Sequence, residues 1–355
     1  MLGEKTAALL AHSIFDPLRN HRKLRLVETS DSFPRAFNPH TDLGVEYRAV
    51  SLAEGTDQAN GKGMMALHAF YDGIGKGFIH SGITTAEPSS GNTGPEMQKI
   101  ALELGLPFRL ILKRSMPPAK LERALALCDA NVRTELVSGG GAQLARELGK
   151  QPGFYNPDQY GREWNIDAQA TYIAPQVFEQ NSDAAAIFVL GGSCGTVLGL
   201  KRYVETYGLP TQVKMVVAAG HDDISGGKNL SQIKADILHD VFSQFPEKEI
   251  LEAPRQKANL LTWLSWPHVV KRSRGLRFMF GQSFGATVFA AFNWVEARRR
   301  DGTLDDYRDK HDRVVILTLG MDNWEGYIRL LLSELKETVL EGPRTLPPLD
   351  ELLAF

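Results

Sequence analysis

Short apolar runs alternate with amphipathic stretches through the middle of this 355-residue chain. The runs of strand length are 108–112, 184–190 and 213–219, and the stretches with helical spacing are 119–128 and 197–207. Such alternation is typical of parallel sheets covered by helices. The pattern therefore predicts an α/β protein.

One βαβ unit is especially clear in the pattern. A helix is predicted from Glu96 to Leu104, it ends at Gly105, and Leu106-Pro107 leads into the next strand. The stretch 221–270 is less regular and is interpreted as a lid or a substrate-facing insertion. At this length the chain is expected to form about two lobes.

Composition and charge narrow the function classes. The 40 basic and 42 acidic residues are mixed along the chain and give a net charge of -2, which predicts no basic face for nucleic acid. We find no signal peptide and no apolar stretch long enough to span a membrane. With Cys128 and Cys194 as its two cysteines, the protein is expected in the reducing cytoplasm and to act on small molecules.

Three glycine-rich segments carry the candidate chemistry. They are Asn60-Gly61-Lys62-Gly63-Met64, the run EPSSGNTG at 87–94, and GGSCGT at 191–196. The second and third fall where predicted strands end, which is where α/β sheets bind ligands, and N–H groups at a helix start bind anions. Each segment alone also fits an ordinary turn, and Lys62 alone a surface lysine. Their order, with Lys62 30 residues before Asn92, argues for one composite site.

In combination the segments resemble the fold-type-II pyridoxal-phosphate enzymes, most closely the cysteine synthase and cystathionine beta-synthase family. The resemblance covers Val45 to Tyr207 and, less closely, Gly281 to Tyr327. It implies pyridoxal 5'-phosphate as cofactor, no metal, and a two-lobed tryptophan synthase beta-like fold. Residues 64–165 are expected to form a smaller mobile lobe. Residues 1–63 and 166–355 are expected to form a larger cofactor-binding lobe, with a divergent segment at 221–274.

The resemblance also implies a role for each matched residue. Lys62 is expected to form the imine with the cofactor and to remove the substrate α-proton. The expected cofactor contacts are Asn92 at the ring hydroxyl, Gly192, Ser193, Cys194, Gly195 and Thr196 at the phosphate, and Ser283 at the pyridine nitrogen. The expected substrate-carboxylate contacts are Ser89, Ser90, Gly91, Thr93 and Gln159. In the family, Lys-Asp-Arg stands where this chain has Lys62-Gly63-Met64.

Other interpretations of single residues stay open at this point. Cys194 stands where the family has glycine, and it is either part of the phosphate loop or a nucleophile. The segment 191–196 is alternatively a dinucleotide-binding loop, an interpretation that requires an acidic residue about 20 positions further on. Gln159 is alternatively part of a polar loop, and Ser283 is alternatively a cap of the helix predicted at 286–297.

These expectations define a reaction class. The chain is expected to catalyse β-replacement on an O-activated serine or a similar amino acid through an aminoacrylate, giving cysteine or another β-substituted alanine. A hydroxyl at the pyridine nitrogen keeps the ring a weak electron sink, which suits elimination of a β-substituent. The alternatives are β-elimination, as in a serine/threonine dehydratase or a cysteine desulfhydrase, and a catalytically inactive pyridoxal-phosphate-binding relative. Expected partners are an amino-acid substrate, a small nucleophile and a second copy of the chain in a homodimer.

Overall fold

A computed structural model describes residues 2–24, 26–52, 61–89, 93–116, 118–222, 224, 226–266, 271–273, 276–278, 280–321 and 345–354. The strands are β1 (Glu28–Ser32), β2 (Val45–Ser51), β3 (Thr84–Pro88), β4 (Phe108–Lys113), β5 (Val132–Val137), β6 (Phe154–Tyr155), β7 (Ala184–Leu190), β8 (Gln212–Ala218), β9 (Leu251–Ala253), β10 (Lys271–Ser273), β11 (Leu276–Phe278) and β12 (Val314–Gly320). The helices are α1 (Leu2–Leu10), α2 (Asp16–Arg19), α3 (Gly61–Gly75), α4 (Thr93–Glu103), α5 (Pro118–Leu125), α6 (Gly141–Gly149), α7 (Trp164–Ala168), α8 (Ala174–Gln180), α9 (Gly195–Tyr207), α10 (Leu230–Asp236), α11 (Val241–Gln244), α12 (Arg255–Ser265), α13 (Gln282–Arg300) and α14 (Leu349–Leu353).

The chain divides into two units. The first consists of residues 1–26 and 54–172, and the second of residues 27–53 and 173–355. The first unit contains all of the segment 64–165 that the sequence assigns to a mobile lobe, and it also contains Lys62 and the amino-terminal helices. The mobility of that lobe and its boundaries stay predictions.

The first unit is built on a parallel four-stranded sheet with the order β5-β4-β3-β6. Helices α4 and α6 follow β3 and β5 along the chain, as the predicted βαβ pattern requires. The left-handed Gly105 (φ +61°) lies just beyond α4 and lets the chain turn towards β4. Helix α3 packs against α4 and α7.

The second unit is built on a six-stranded sheet with the order β1-β2-β12-β7-β8-β9. All neighbours in this sheet are parallel except β1 and β2. The long helix α13 lies against it and is buried along most of its length, with Phe284, Phe289 and Phe292 fully enclosed. Because β2, β12 and β7 are parallel neighbours, their carboxyl ends lie side by side at one edge of the sheet.

The expected α/β class is confirmed. The stretch 221–270 is more regular than the sequence pattern suggests, and its predicted role as a lid or a substrate-facing insertion stays a prediction. Residues 229–266 are regular: α10 and α11 precede β9, which extends the large sheet, and α12 then packs on α13. The cations of this part are engaged within the unit, since Lys228 pairs with Asp236 and Lys257 Nζ donates to the Glu351 carbonyl at 2.9 Å. Most of this stretch is therefore framework of the second unit.

Candidate active site

The predicted site residues are distributed over both units. Lys62, Ser89, Thr93 and Gln159 belong to the first unit, and the segment 192–196 and Ser283 belong to the second. Ser90, Gly91 and Asn92 lie outside the described residues. Each half of the predicted site is therefore described by itself.

The loop after β7 has the geometry of an anion-binding turn. It follows the buried strand residue Leu190 and enters α9 at Gly195, so several backbone N–H groups point out at the start of a 13-residue helix. A Cβ at Gly192 would lie 2.4 Å from the Gly226 carbonyl oxygen, so this position accepts no side chain. Thr196 adds a buried hydroxyl in the first turn of the helix. The turn therefore suits a phosphate dianion.

Cys194 occupies a backbone conformation that favours glycine. It is the residue before α9, with φ +62° and ψ -4° in the left-handed region, so the loop keeps the turn that a glycine would allow. Burial raises the pKa of its thiol to about 12, and nearby Lys228 opposes that rise. The thiol is therefore protonated at neutral pH, which favours the phosphate-loop interpretation of Cys194 over the nucleophile interpretation.

The strain at Cys194 gives a testable difference between two variants. Cys194→Ala and Cys194→Gly both remove the thiol, but only alanine keeps a Cβ at positive φ. A non-glycine residue in this region costs roughly 1–2 kcal/mol, partly offset by the greater freedom of glycine in the unfolded chain. In urea unfolding, Cys194→Gly is expected to be more stable than Cys194→Ala by about 1 kcal/mol. A more stable alanine variant would contradict the left-handed assignment.

Ser283 lies at the same edge of the sheet as the loop at 192–196. Its Oγ accepts a hydrogen bond from the Met321 N–H at 3.2 Å, and Met321 directly follows the last residue of β12. Since β12 and β7 are adjacent parallel strands, Ser283 and the phosphate-type turn lie at neighbouring strand ends. The alternative role of Ser283 as a helix cap is wrong, because Gly281 is the N-cap residue of α13.

The start of α13 is fixed by α12. Thr262 Oγ1 donates to the Gly281 carbonyl at 3.2 Å, and Gln282 Nε2 donates to Asn259 Oδ1 at 2.7 Å. Ser283, the next residue, is completely buried. A pyridine ring that carries a phosphate group requires a polar partner for its nitrogen and several N–H donors for its phosphate. The buried hydroxyl of Ser283 and the anion-binding turn provide these groups, so the second unit fits the expected cofactor.

Lys62 lies in the first turn of α3. Its side chain is half-buried, and the next residues, Gly63, Met64 and Met65, are buried. This environment suits a lysine that acts as a nucleophile and a base.

Ser89 and Thr93 flank the part of the EPSSGNTG run that is not described. Both side chains are buried, and the Ser89 Oγ accepts a hydrogen bond from the Gly94 N–H at 3.1 Å. Ser89 thus satisfies one N–H at the start of α4, an 11-residue helix that begins at Thr93. The remaining N–H groups of this helix start suit a carboxylate, and the predicted substrate contacts of the two residues stay predictions.

Gln159 is held against the end of β3. Its side-chain Nε2 donates to the Pro88 carbonyl at 2.8 Å, and its own carbonyl accepts from Asn165 Nδ2 at 2.8 Å. Its backbone N–H donates to Glu87 Oε1 at 3.1 Å. The structure therefore brings Gln159 next to the first residues of the EPSSGNTG run. Its predicted contact with a substrate carboxylate stays a prediction.

Glu87 is the residue of this region that the sequence argument missed. Its carboxylate is completely buried, and Oε2 accepts from Asn156 Nδ2 at 3.1 Å and from the Asp158 N–H at 3.0 Å. The signal that was available is an acidic residue within the buried strand TTAEP. An acidic side chain is rarely buried without partners, so its presence there indicates a polar contact.

The described residues contain no cluster of His, Cys, Asp and Glu side chains that could hold a metal ion. Among the helices of the described part of the chain, none is long and apolar enough to cross a membrane.

Comparisons with known proteins agree with this geometry. The family model "Pyridoxal-phosphate dependent enzyme" matches residues 61–253. The chain is 24% identical to cysteine synthase of Aquifex aeolicus (strain VF5) over 278 residues, which are 77% of this chain and 79% of that enzyme. It is 26% identical to cysteine synthase A of Escherichia coli (strain K12) over 150 residues, which are 40% of this chain and 45% of that enzyme.

A solved structure of O-ureido-L-serine synthase has the same fold. It matches with a TM-score of 0.67 and 17% sequence identity, and the match covers 88% of this chain and 94% of the synthase. At this identity the likeness concerns the fold, which is the two-sheet α/β arrangement described above.

Proposed function

Because the chain belongs to the pyridoxal-phosphate dependent enzyme family, we propose that it catalyses β-replacement on an O-activated serine or a related amino acid, giving a β-substituted alanine such as cysteine. The observation that carries this proposal is the anion-binding turn at 192–196 beside the buried hydroxyl of Ser283. Pyridoxal phosphate, when bound, supplies an electron sink for breaking bonds at the substrate α- and β-carbons.

The residues of the second unit hold the cofactor in this proposal. The N–H groups and hydroxyls of 192–196 bind the phosphate, and Ser283 binds the pyridine nitrogen. A serine hydroxyl is uncharged, so it does not keep that nitrogen protonated as a carboxylate does, and the electron sink stays weak. A weak electron sink suits a reaction in which a β-substituent departs promptly. It does not suit transamination.

The residues of the first unit act on the amino acid. Lys62 would hold the cofactor covalently through its amine. Once the amino group of the substrate takes over that bond, the released Lys62 amine would take the α-proton of the substrate. Ser89, Ser90, Gly91, Thr93 and Gln159 bind the substrate carboxylate, and Asn92 binds the ring hydroxyl of the cofactor. The curated relatives described as cysteine synthases support a β-substituted alanine as the product class.

The competing outcomes are β-elimination and an inactive cofactor-binding protein. The test uses the purified protein with pyridoxal phosphate and four amino acids: O-acetylserine, O-phosphoserine, serine and cysteine. Each is supplied with and without sulfide or a small amine as the nucleophile, and products are identified by mass spectrometry. Formation of a β-substituted alanine that depends on the nucleophile supports replacement. Pyruvate and ammonia at the same rate without a nucleophile indicate elimination, and bound cofactor with no product indicates an inactive relative.

A homodimer in the reducing cytoplasm remains the expectation from the sequence. Sedimentation velocity of the protein with its cofactor tests the dimer, and a monomer at micromolar concentration would contradict it.

A further inference from the structure

We propose that Glu87 is a positioning residue for the substrate carboxylate, acting through Gln159. This inference rests on the proposed function, in which Gln159 binds that carboxylate. The geometry behind it is a buried acid at the end of β3 that receives hydrogen bonds from the Asn156 side chain and from the backbone N–H groups of Asp158 and Gln159.

The loop is shaped around the Glu87 carboxylate. Asp158 has φ +52°, in the left-handed region, and the N–H groups of Asp158 and Gln159 both donate to Glu87 at 3.0 and 3.1 Å. Consecutive N–H groups at such a turn form a concave anion site. Here the anion is a side chain of the protein. The Asp158 carboxylate is in turn held by Arg146 at 3.0 and 3.2 Å, so the turn is fixed from two sides.

Besides the hydrogen bond from Asn165 to its backbone carbonyl, Gln159 has two hydrogen bonds to the end of β3. Glu87 holds its backbone N–H, and the Pro88 carbonyl holds one hydrogen of its side-chain amide. Ser89, which follows Pro88 in the chain, is the first of the other residues predicted to contact the substrate carboxylate. Glu87 therefore ties one loop to the end of β3 through Asp158 and Gln159, which lie 71 and 72 residues further along the chain.

The chemistry of the site requires a carboxylate at position 87. Burial raises the pKa of the Glu87 carboxyl, while the hydrogen bonds from Gln159 and Asp158 act against this rise. Three N–H donors converge on its two oxygens, which is the arrangement that an acceptor-only carboxylate requires. A glutamine of the same shape presents an NH₂ group to at least one of the N–H donors, which leaves a buried donor without an acceptor. The loop then relaxes and Gln159 loses its position, although the fold around it is kept.

The experiment compares Glu87→Gln with the wild type in the complete cofactor-loaded protein. Turnover of O-acetylserine gives KM and kcat, and calorimetric titration with L-alanine, which lacks a β-leaving group, gives a dissociation constant. Loss of a hydrogen bond to a charged group weakens binding by roughly one to two orders of magnitude. We expect KM and the L-alanine Kd to rise at least about 10-fold, while kcat stays within about threefold.

Two further variants separate positioning from general destabilisation. Glu96→Gln also changes a buried glutamate of the first unit, but Glu96 pairs with Arg123 and Lys99, so KM is expected to stay within about twofold. In a Gln159→Ala background, Glu87→Gln is expected to raise the L-alanine Kd by less than about twofold, because the residue through which Glu87 acts has been removed.

The outcomes are separable from those of the proposed function. A wild type without β-replacement overturns that function, while the ratio of L-alanine Kd values still decides the role of Glu87. An unchanged Kd in folded Glu87→Gln, or an equal rise in the Gln159→Ala background, overturns the inference. If Glu87→Gln does not fold, Glu87→Asp replaces it: the charge stays and the carboxylate retracts by one methylene. An L-alanine Kd unchanged by that shortening overturns the inference equally.

Discussion

Replacing Lys62 by alanine is expected to lower kcat at least about 10³-fold, because general acid–base catalysis alone contributes about 10²–10⁴ and the covalent bond to the cofactor is lost as well. The loop at 192–196 and Ser283 are unchanged by this substitution, so the protein is expected still to bind pyridoxal phosphate without the covalent link. Stopped assays of β-replacement measure kcat, and equilibrium dialysis measures the retained cofactor.

A lysine just beyond the same helix provides the control. Lys76 follows the end of α3, and its Nζ pairs with Asp72 at 2.8 Å with more than half of the side chain exposed. Lys76→Ala is expected to keep kcat within about twofold, since exposed ion pairs contribute little. Turnover by Lys62→Ala at the level of Lys76→Ala would remove Lys62 from the chemistry.

Gly285→Ala is expected to destabilise the second unit strongly. A Cβ at Gly285 would lie 1.9 Å from the Ala258 carbonyl oxygen, 2.4 Å from Thr262 Oγ1 and 2.8 Å from the Thr262 backbone nitrogen. Two of these atoms are backbone of α12, so α12 and α13 must separate. Overpacking typically costs about 1–3 kcal/mol, and a backbone clash belongs at or above the upper end, about 3 kcal/mol.

The unfolding free energy from urea titration measures this cost. Gly75, the last residue of α3, is a matched control because a Cβ there meets nothing within 4 Å. Gly75→Ala is expected to be neutral or stabilising by up to about 1 kcal/mol. Since Gly285 follows Ser283 by two residues at the start of α13, Gly285→Ala is also expected to weaken cofactor binding. A Gly285→Ala variant as stable as Gly75→Ala would contradict the close packing of the two helices.

The sequence predicts the elements around the glycine-rich loops well, and the reason is local. The strand predicted at 184–190 is β7, and the strand predicted at 213–219 agrees with β8 to within one residue. Helix α4 begins at Thr93 and stops before Gly105, whose positive φ the sequence pattern anticipates. Turn glycines, caps and apolar runs are signals carried by neighbouring residues, so a single chain reveals them.

The features that the sequence argument missed depend on contacts between distant residues. The stretch 229–266 has no clear local period, yet β9 forms because β8 offers an open sheet edge, and α12 forms against α13. Glu87 reads as an ordinary polar residue before a proline until Asp158 and Gln159 are brought to it. The conformation of Cys194 is likewise set by the loop, since a cysteine alone does not favour positive φ.

The central claim is that this chain binds pyridoxal phosphate through Lys62. The most direct measurement is reduction of the cofactor-loaded protein with borohydride, followed by peptide mapping with mass spectrometry. Reduction makes a covalent link between cofactor and lysine permanent, so the label marks the lysine that formed it. We expect the pyridoxyl label on the peptide that contains Lys62. A label on Lys76 or Lys113, or a protein that takes up no cofactor, would contradict the account.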